Sequence, residues 1–314
     1  SSSGVFGEIS NIDGDEGRYY NDTAVAQRLT DAAITFIEKH QEQPFFVYLA
    51  HWEVHTPMSA TKERIEYYQE KLKDFEGEGY VPTYAAEVEQ VDLSVGRVMD
   101  HLKELGIDKN TLVIFTSDNG GLARLTNNAP LRAGKGTFYE GGIRVPFCVR
   151  WPEVVRAGSR SDYAAIGIDL MPTFAELSGA ALPTSQPVDG TSFLGILKEE
   201  QQDRDRDLFL HFPLYLEGSG AKEQVLPVYS TDNYFWRAVP STTLLRGNWK
   251  LIYYYEYETY ELFNLKEDLG ETQDVASKNP ELVQDMLQAI DKWTGDTAAP
   301  VPDILNEKLT GREL

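Results

Sequence analysis

One feature restricts the fold more than any other. From residue 22 to residue 152, amphipathic helical stretches alternate with short apolar runs that break off into polar loops. DTAVAQRLTDAAITFIEKH (22–40) places Ala26, Leu29, Ala33, Phe36 and Ile37 at helical spacing, and FFVYLA (45–50), opened by Pro44, reads as a buried strand. AAEVEQVDLSVGRVMDHLKEL (85–105) is a long amphipathic helix stopped by Gly106. LVIFTS (112–117) and IRVPFCVRWP (143–152) read as two further strands. IGIDLMPTFAELSGA (166–180) is a helix with Pro172 in its first turn, and 61–76 is a charged surface excursion. This alternation predicts an α/β fold, a mostly parallel sheet sandwiched by helices.

Past about residue 200 the pattern changes. LLRGNWKLIYYYE (244–256) and TYELFNL (259–265) form a meander, followed by a helix near 280–293. That predicts a small C-terminal antiparallel sheet plus helix, with the tail from Ala298 as an arm. The expected division is 1–200 and 201–314, with the boundary in the charged stretch KEEQQDRDRD (198–207).

The 314 residues carry 29 Lys+Arg against 50 Asp+Glu, a formal charge of −21. A surface of that sign excludes nucleic acid and anionic membrane as general partners, so an anionic ligand needs a local cationic pocket or a metal. No apolar run is long enough for a membrane span. The single cysteine, Cys148, rules out an intrachain disulfide; between Phe147 and Val149 in a strand it is expected to be buried and inert.

Several stretches could carry chemistry. VIFTSDNGG (113–121) runs a strand into Asp118 and Asn119, which is either a turn or two hard oxygen donors for a cation at a strand's carboxyl end. LRAGKGTFYEGGIRVP (131–146) sets Lys135 between two glycines, so an ammonium can be aimed at an anion; the Walker A spacing is absent. In the same loop Glu140 and Arg144 read as a structural ion pair. HWEVHTP (51–57) offers His51 and His55 without the HEXXH zinc spacing, as anion donors, acids or structural side chains. His211, in LFLHFPLY (208–215), reads as a packed or cleft-edge residue. A carboxylate–amide pair, a lysine and a histidine on one rim of a sheet would suit a tetrahedral anion, and ester cleavage at sulfur or phosphorus needs that kind of charge stabilisation.

In order and wording these stretches resemble the type I, formylglycine-dependent sulfatases, arylsulfatase-like members of the alkaline phosphatase superfamily. FFVYLAHWEVHTP, LVIFTSDNGG, LRAGKGTFYEGGIRVPF and GNWKLIYYYE…YELFNLKEDLGETQDVASKNPE follow the family's order over roughly residues 20–295. The resemblance implies Ca2+ with Asp118 and Asn119 among its ligands, Lys135 on the sulfate, and His55 near the leaving-group oxygen. His51 and His211 would line the substrate cleft. It implies a sulfated small molecule or sulfated glycan as substrate and a periplasmic or secreted location.

The resemblance is incomplete: family members also carry an N-terminal half with an Asp pair for calcium. The family's C-x-P-S-R nucleophile motif, whose cysteine or serine becomes formylglycine, is absent, because Cys148 is followed by Val149, Arg150 and Trp151. The expectation is therefore the C-terminal half of a sulfatase catalytic domain, inactive alone and a potential partner of a missing N-terminal segment. Alternatives are a phosphodiesterase or phosphonate hydrolase of the same superfamily, or a non-catalytic binder of sulfated glycans.

Overall fold

The computed structural model describes residues 23–74, 81–200, 206–217, 236–256 and 258–302. The chain's first stretch, SSSGVFGEISN, part of the excursion after residue 74, half of the charged stretch near residue 200 and the end of the tail lie outside the described residues. Two compact units form. One takes in the described residues through Ile114 together with Cys148–Gly158; the other takes in Phe115–Phe147 and the described residues from Ser159 onward.

The first unit is built on helices α1 (Val25–His40), α2 (Lys62–Leu72) and α3 (Pro82–Glu104). α1 buries Val25, Ala26, Thr30, Ala33 and Ile37, the stripe expected from its spacing, and packs on α3. The facing positions of α3 include Ala86, Ser94 and Leu102. The two helices come close enough for Thr30 Oγ1 to share a hydrogen bond with Ser94 Oγ at 2.5 Å, while within α1 Thr30 Oγ1 donates to Ala26 O at 2.6 Å. α2 buries no residue; Thr61 caps its start, and Arg64 ties it to Glu89 of α3. None of these helices is long and apolar enough to cross a membrane, nor is any other described helix.

Strands β1 (Val113–Thr116) and β2 (Phe147–Arg150) pair with each other, and the division between units falls inside each of them. Two expectations change here. Residues 45–50 belong to no sheet among the described residues, although their side chains alternate between half-buried and exposed with the period of a strand. β1 and β2 are also less buried than their composition suggests, since Phe115 and Phe147 are exposed. Cys148 is likewise exposed rather than buried, because a two-stranded ladder offers it no covering layer among the described residues.

The second unit holds the short helix α4 (Glu140–Ile143), then α5 (Leu170–Ser178) and α6 (Leu194–Leu197). Its centre is a four-stranded antiparallel sheet of β3 (Asp207–Phe212), β6 (Ser241–Arg246), β7 (Trp249–Tyr254) and β8 (Thr259–Asn264), in that spatial order. β4 (Leu216–Glu217) and β5 (Trp236–Ala238) make a separate antiparallel pair, and α7 (Pro280–Thr297) packs on the sheet. The turn between β6 and β7 needs Gly247, whose φ of 54° is disfavoured for residues with a Cβ.

Period two explains the packing of this sheet. Leu244, Leu251 and Leu262 are in direct register across three strands and pack with Val283, Met286 and Ile290 of α7. The next residues along β7 and β8, Ile252 and Phe263, point to the opposite face and pack with Tyr139 and Tyr254. Each fully buried Leu or Ile contributes about 1.5–3 kcal/mol, so the expected meander-plus-helix is an ordinary two-sided core. Besides the buried Ser241, Thr242 and Thr243 of β6, the sheet buries a charged side chain: Lys250, on the Ile252 face, is wholly buried.

Candidate functional site

Asp118 and Asn119 follow β1 directly, Asp118 exposed and Asn119 half-buried. The turn is held from behind by backbone. Gly120 N donates to Gly142 O at 2.9 Å, and Lys135 N donates to Gly121 O at 3.0 Å. Asn128 Nδ2 clamps both loops, donating to Gly121 O at 2.8 Å and to Ala133 O at 2.9 Å. This approach demands glycine: a Cβ on Gly120 would overlap Gly141 O, and one on Gly134 would overlap Gly121 O. The structure thus brings Asp118, Asn119 and the half-buried Lys135 onto one pair of interlocked loops. Strand geometry delivers the first two, and the carbonyl of Gly121 seats the third.

The donors fit part of a calcium site. The Asp118 carboxylate accepts no hydrogen bond from a described residue, and the Asn119 amide nitrogen donates to Gly120 O at 3.1 Å, leaving its oxygen for a cation. Two hard oxygens fall short of the six to eight that calcium takes. No cluster of three or more His, Cys, Asp or Glu suited to a metal occurs among the described residues.

The histidines sit elsewhere. His51 and His55 belong to the first unit. His55 is exposed, with its ring edge against Trp52 and Nδ1 2.6 Å from Thr56 O. His51 Nε2 shares a hydrogen bond with Ser94 Oγ at 2.9 Å, and its Nδ1 stands 3.8 Å from Glu53 Oε2. Burial pushes the His51 imidazole below its ordinary pKa and so favours the neutral ring, against the opposite pull of the Glu53 carboxylate. His211 belongs to the second unit. There Nδ1 bonds Thr242 Oγ1 at 2.8 Å and Nε2 bonds Pro300 O at 2.7 Å, with Trp293 and Tyr255 against the ring. A ligand at His211 has to displace one of those partners.

Two buried polar groups were not singled out from sequence. In the first unit Glu87, on α3, is 2 % exposed and accepts Ser59 N–H at 2.6 Å, while Glu53 accepts Ala26 N–H at 3.0 Å. Together they fasten the HWEVHTP loop and the residues after it to α1 and α3. Burial first, with Glu53 adding, raises the Glu87 pKa to about 7. In the second unit Lys250 pairs with Glu140 and Glu271. The sequence did carry a signal for it: Lys250 shares its strand face with Ile252 and Tyr254, so it had to be buried. The expected Glu140–Arg144 pair is present.

Comparison with known proteins identifies the family. The sequence profile of the family described as Sulfatase matches residues 3–180, and that described as N-sulphoglucosamine sulphohydrolase, C-terminal, matches 134–294. A sulfatase of Formosa agariphila is 38% identical over 267 residues, covering 80% of this chain and 46% of that protein. Human steryl-sulfatase is 34% identical over 197 residues, covering 60% of this chain and 32% of its own length. The crystal structure of Ps i-CgsB in complex with k-i-k-neocarrahexaose matches with a TM-score of 0.69 and 31% identity, covering 91% of this chain and 58% of that one. The chain therefore spans less than half the length of either relative.

Proposed function

Because the chain belongs to the sulfatase family, we propose that it takes part in hydrolysis of a sulfate ester, with Lys135, Asp118 and Asn119 as its contribution to the anion site. The observation that carries this reading is the bond from Lys135 N–H to Gly121 O, which seats the lysine loop on the turn that holds Asp118 and Asn119.

Each residue has a physical role in this reading. Lys135, flanked by Gly134 and by Gly136 at φ 88°, presents its ammonium to the sulfuryl oxygens and opposes the negative charge that builds as the ester bond breaks. Asp118 and Asn119 supply two of the oxygens for a calcium ion, which when bound adds positive charge beside the same oxygens. His55, exposed and with Nε2 free of any described partner, is the proposed donor of a proton to the departing alcohol. The neutral His51, and His211 on its sheet, are proposed cleft residues. The nucleophile of the reading is the family's formylglycine, whose motif these 314 residues do not contain.

A sulfated glycan is the favoured substrate class, supported by the oligosaccharide in the similar crystal structure; a sulfated small molecule is the alternative. A periplasmic or secreted location goes with the same family reading. The test is calcium-dependent stabilisation. A ligand that binds only the folded state raises the melting temperature, so calcium should raise it in the native chain and not in Asp118→Ala. An equal rise in both proteins, or none in the native chain, would overturn the assignment.

A further inference from the structure

We propose that Lys250 is a positioning residue: through Glu140 and Glu271 it holds the Lys135 loop and the Asp118–Asn119 turn in register, from beneath and without touching a ligand.

The side chain starts from the middle of β7 on a face otherwise given to Ile252 and Tyr254, and none of it is exposed. Its ammonium lies 3.0 Å from Glu140 Oε1 and 2.7 Å from Glu271 Oε1. Glu271 is also wholly buried, and its other oxygen accepts the backbone N–H of Glu140 at 2.6 Å. Arg144 bonds the second oxygen of Glu140, so two cations and two anions balance. Arg132 Nη1 closes the group by donating to Glu271 O at 2.9 Å.

This group is more than packing. Buried ion pairs are commonly replaceable by apolar side chains of similar volume at no loss of stability, so stability alone does not account for a lysine and two glutamates under a leucine-rich sheet. Glu271 also keeps its carboxylate at a φ of 52°, a conformation that disfavours side-chain-bearing residues. What the group does hold is the start of α4. Glu140 is followed by Gly141 and Gly142, whose backbone reaches the candidate site directly: Gly141 N donates to Arg132 O at 2.8 Å, and Gly142 O accepts Gly120 N–H at 2.9 Å. One residue further, Gly121 O accepts Lys135 N–H. A shift at Glu140 is therefore handed to both loops through carbonyl contacts that leave no room for a Cβ.

The significance of the loops rests on the sulfatase reading, but the coupling does not, and the experiment separates the two. Backbone amide exchange would be measured on the native chain, on Lys250→Met, and on the milder Glu271→Gln, which keeps an acceptor for Glu140 N–H should Lys250→Met fail to fold. The expected result is exchange faster by about tenfold or more at Gly120, Lys135 and Gly141, with Leu244 and Leu251 of the sheet unchanged. Calcium should then stabilise both variants less than it stabilises the native chain. Unchanged exchange in the loops, or an equal acceleration throughout the sheet, overturns the proposal by reducing Lys250 to a stability residue. If the native chain shows no calcium effect while the loop amides still respond selectively, the positioning role stands and the calcium reading falls.

Discussion

Glu87→Gln should make the protein more stable at alkaline pH. Glu87 is buried on α3 with one oxygen on Ser59 N–H and the other, Oε2, without a hydrogen-bond partner among the described residues. Its pKa is raised from 4.5 to about 7, first by burial and then by the neighbouring Glu53 carboxylate, against the Ser59 bond. Above both values, moving the carboxyl that far costs about 3 kcal/mol, each pKa unit being about 1.4 kcal/mol. The sign follows from proton counting. Between pH 4.5 and about 7 the unfolded state has released this proton while the folded state retains it, so this group's contribution to stability falls as pH rises. His51 acts oppositely: its lowered pKa weakens the fold as pH falls through the ordinary histidine range. Comparing the variant with the native chain cancels the His51 contribution.

Glutamine keeps an acceptor for Ser59 and cannot ionise. Urea unfolding followed at about pH 5 and about pH 8 should therefore show little difference at the lower pH and a gain of about 2–3 kcal/mol for Glu87→Gln at the higher one. Parallel pH profiles for the two proteins, or a variant less stable at the higher pH, would refute the reasoning.

Gly141→Ala places a methyl group against the carbonyls of Ala133 and Arg132. It should destabilise the second unit by about 1–3 kcal/mol in thermal melts, and an unchanged melting temperature would mean that the loops are not interlocked as described. Arg206→Met strips a wholly buried carboxylate, Asp169, of a two-pronged partner, leaving it only the N–H groups of Ile166 and Thr191. A loss of about 3–5 kcal/mol is expected in denaturant unfolding, largely recovered when Asp169→Asn is added; no recovery would show that the guanidinium is held by something other than the charge.

Much of this molecule was legible where a pattern repeats. α1, α3 and α7 follow their helical stripes to within a few residues, and β6 to β8 follow strict alternation, because both periods are set by the backbone itself. Asp118, Asn119 and Lys135 were legible as a group only through the resemblance of their surrounding words. Their union depends on Gly120–Gly142 and Lys135–Gly121 bonds between loops, which no local period encodes. Composition marks 45–50 and 112–117 as buried strands, yet burial depends on what lies over a strand, and neither run states its neighbours. Glu87 carries no local signal of burial, because a glutamate on a long amphipathic helix is normally solvated. Its burial comes from the loop that follows His55 reaching it through Ser59.

The partners of Glu140 also fix an order of events. Lys250 lies 110 residues beyond it and Glu271 lies 131 residues beyond it. A chain made from its N-terminus releases the lysine-bearing loop long before it releases the residues that secure it. At about 5–20 residues per second the interval is about 7–26 seconds, far longer than the ~10–100 ns closure of a short loop. During that interval the turn after β1 and the glycine loop can meet but cannot lock. A ribosome stalled just short of Glu271 should therefore carry these loops in a form that proteases still cut.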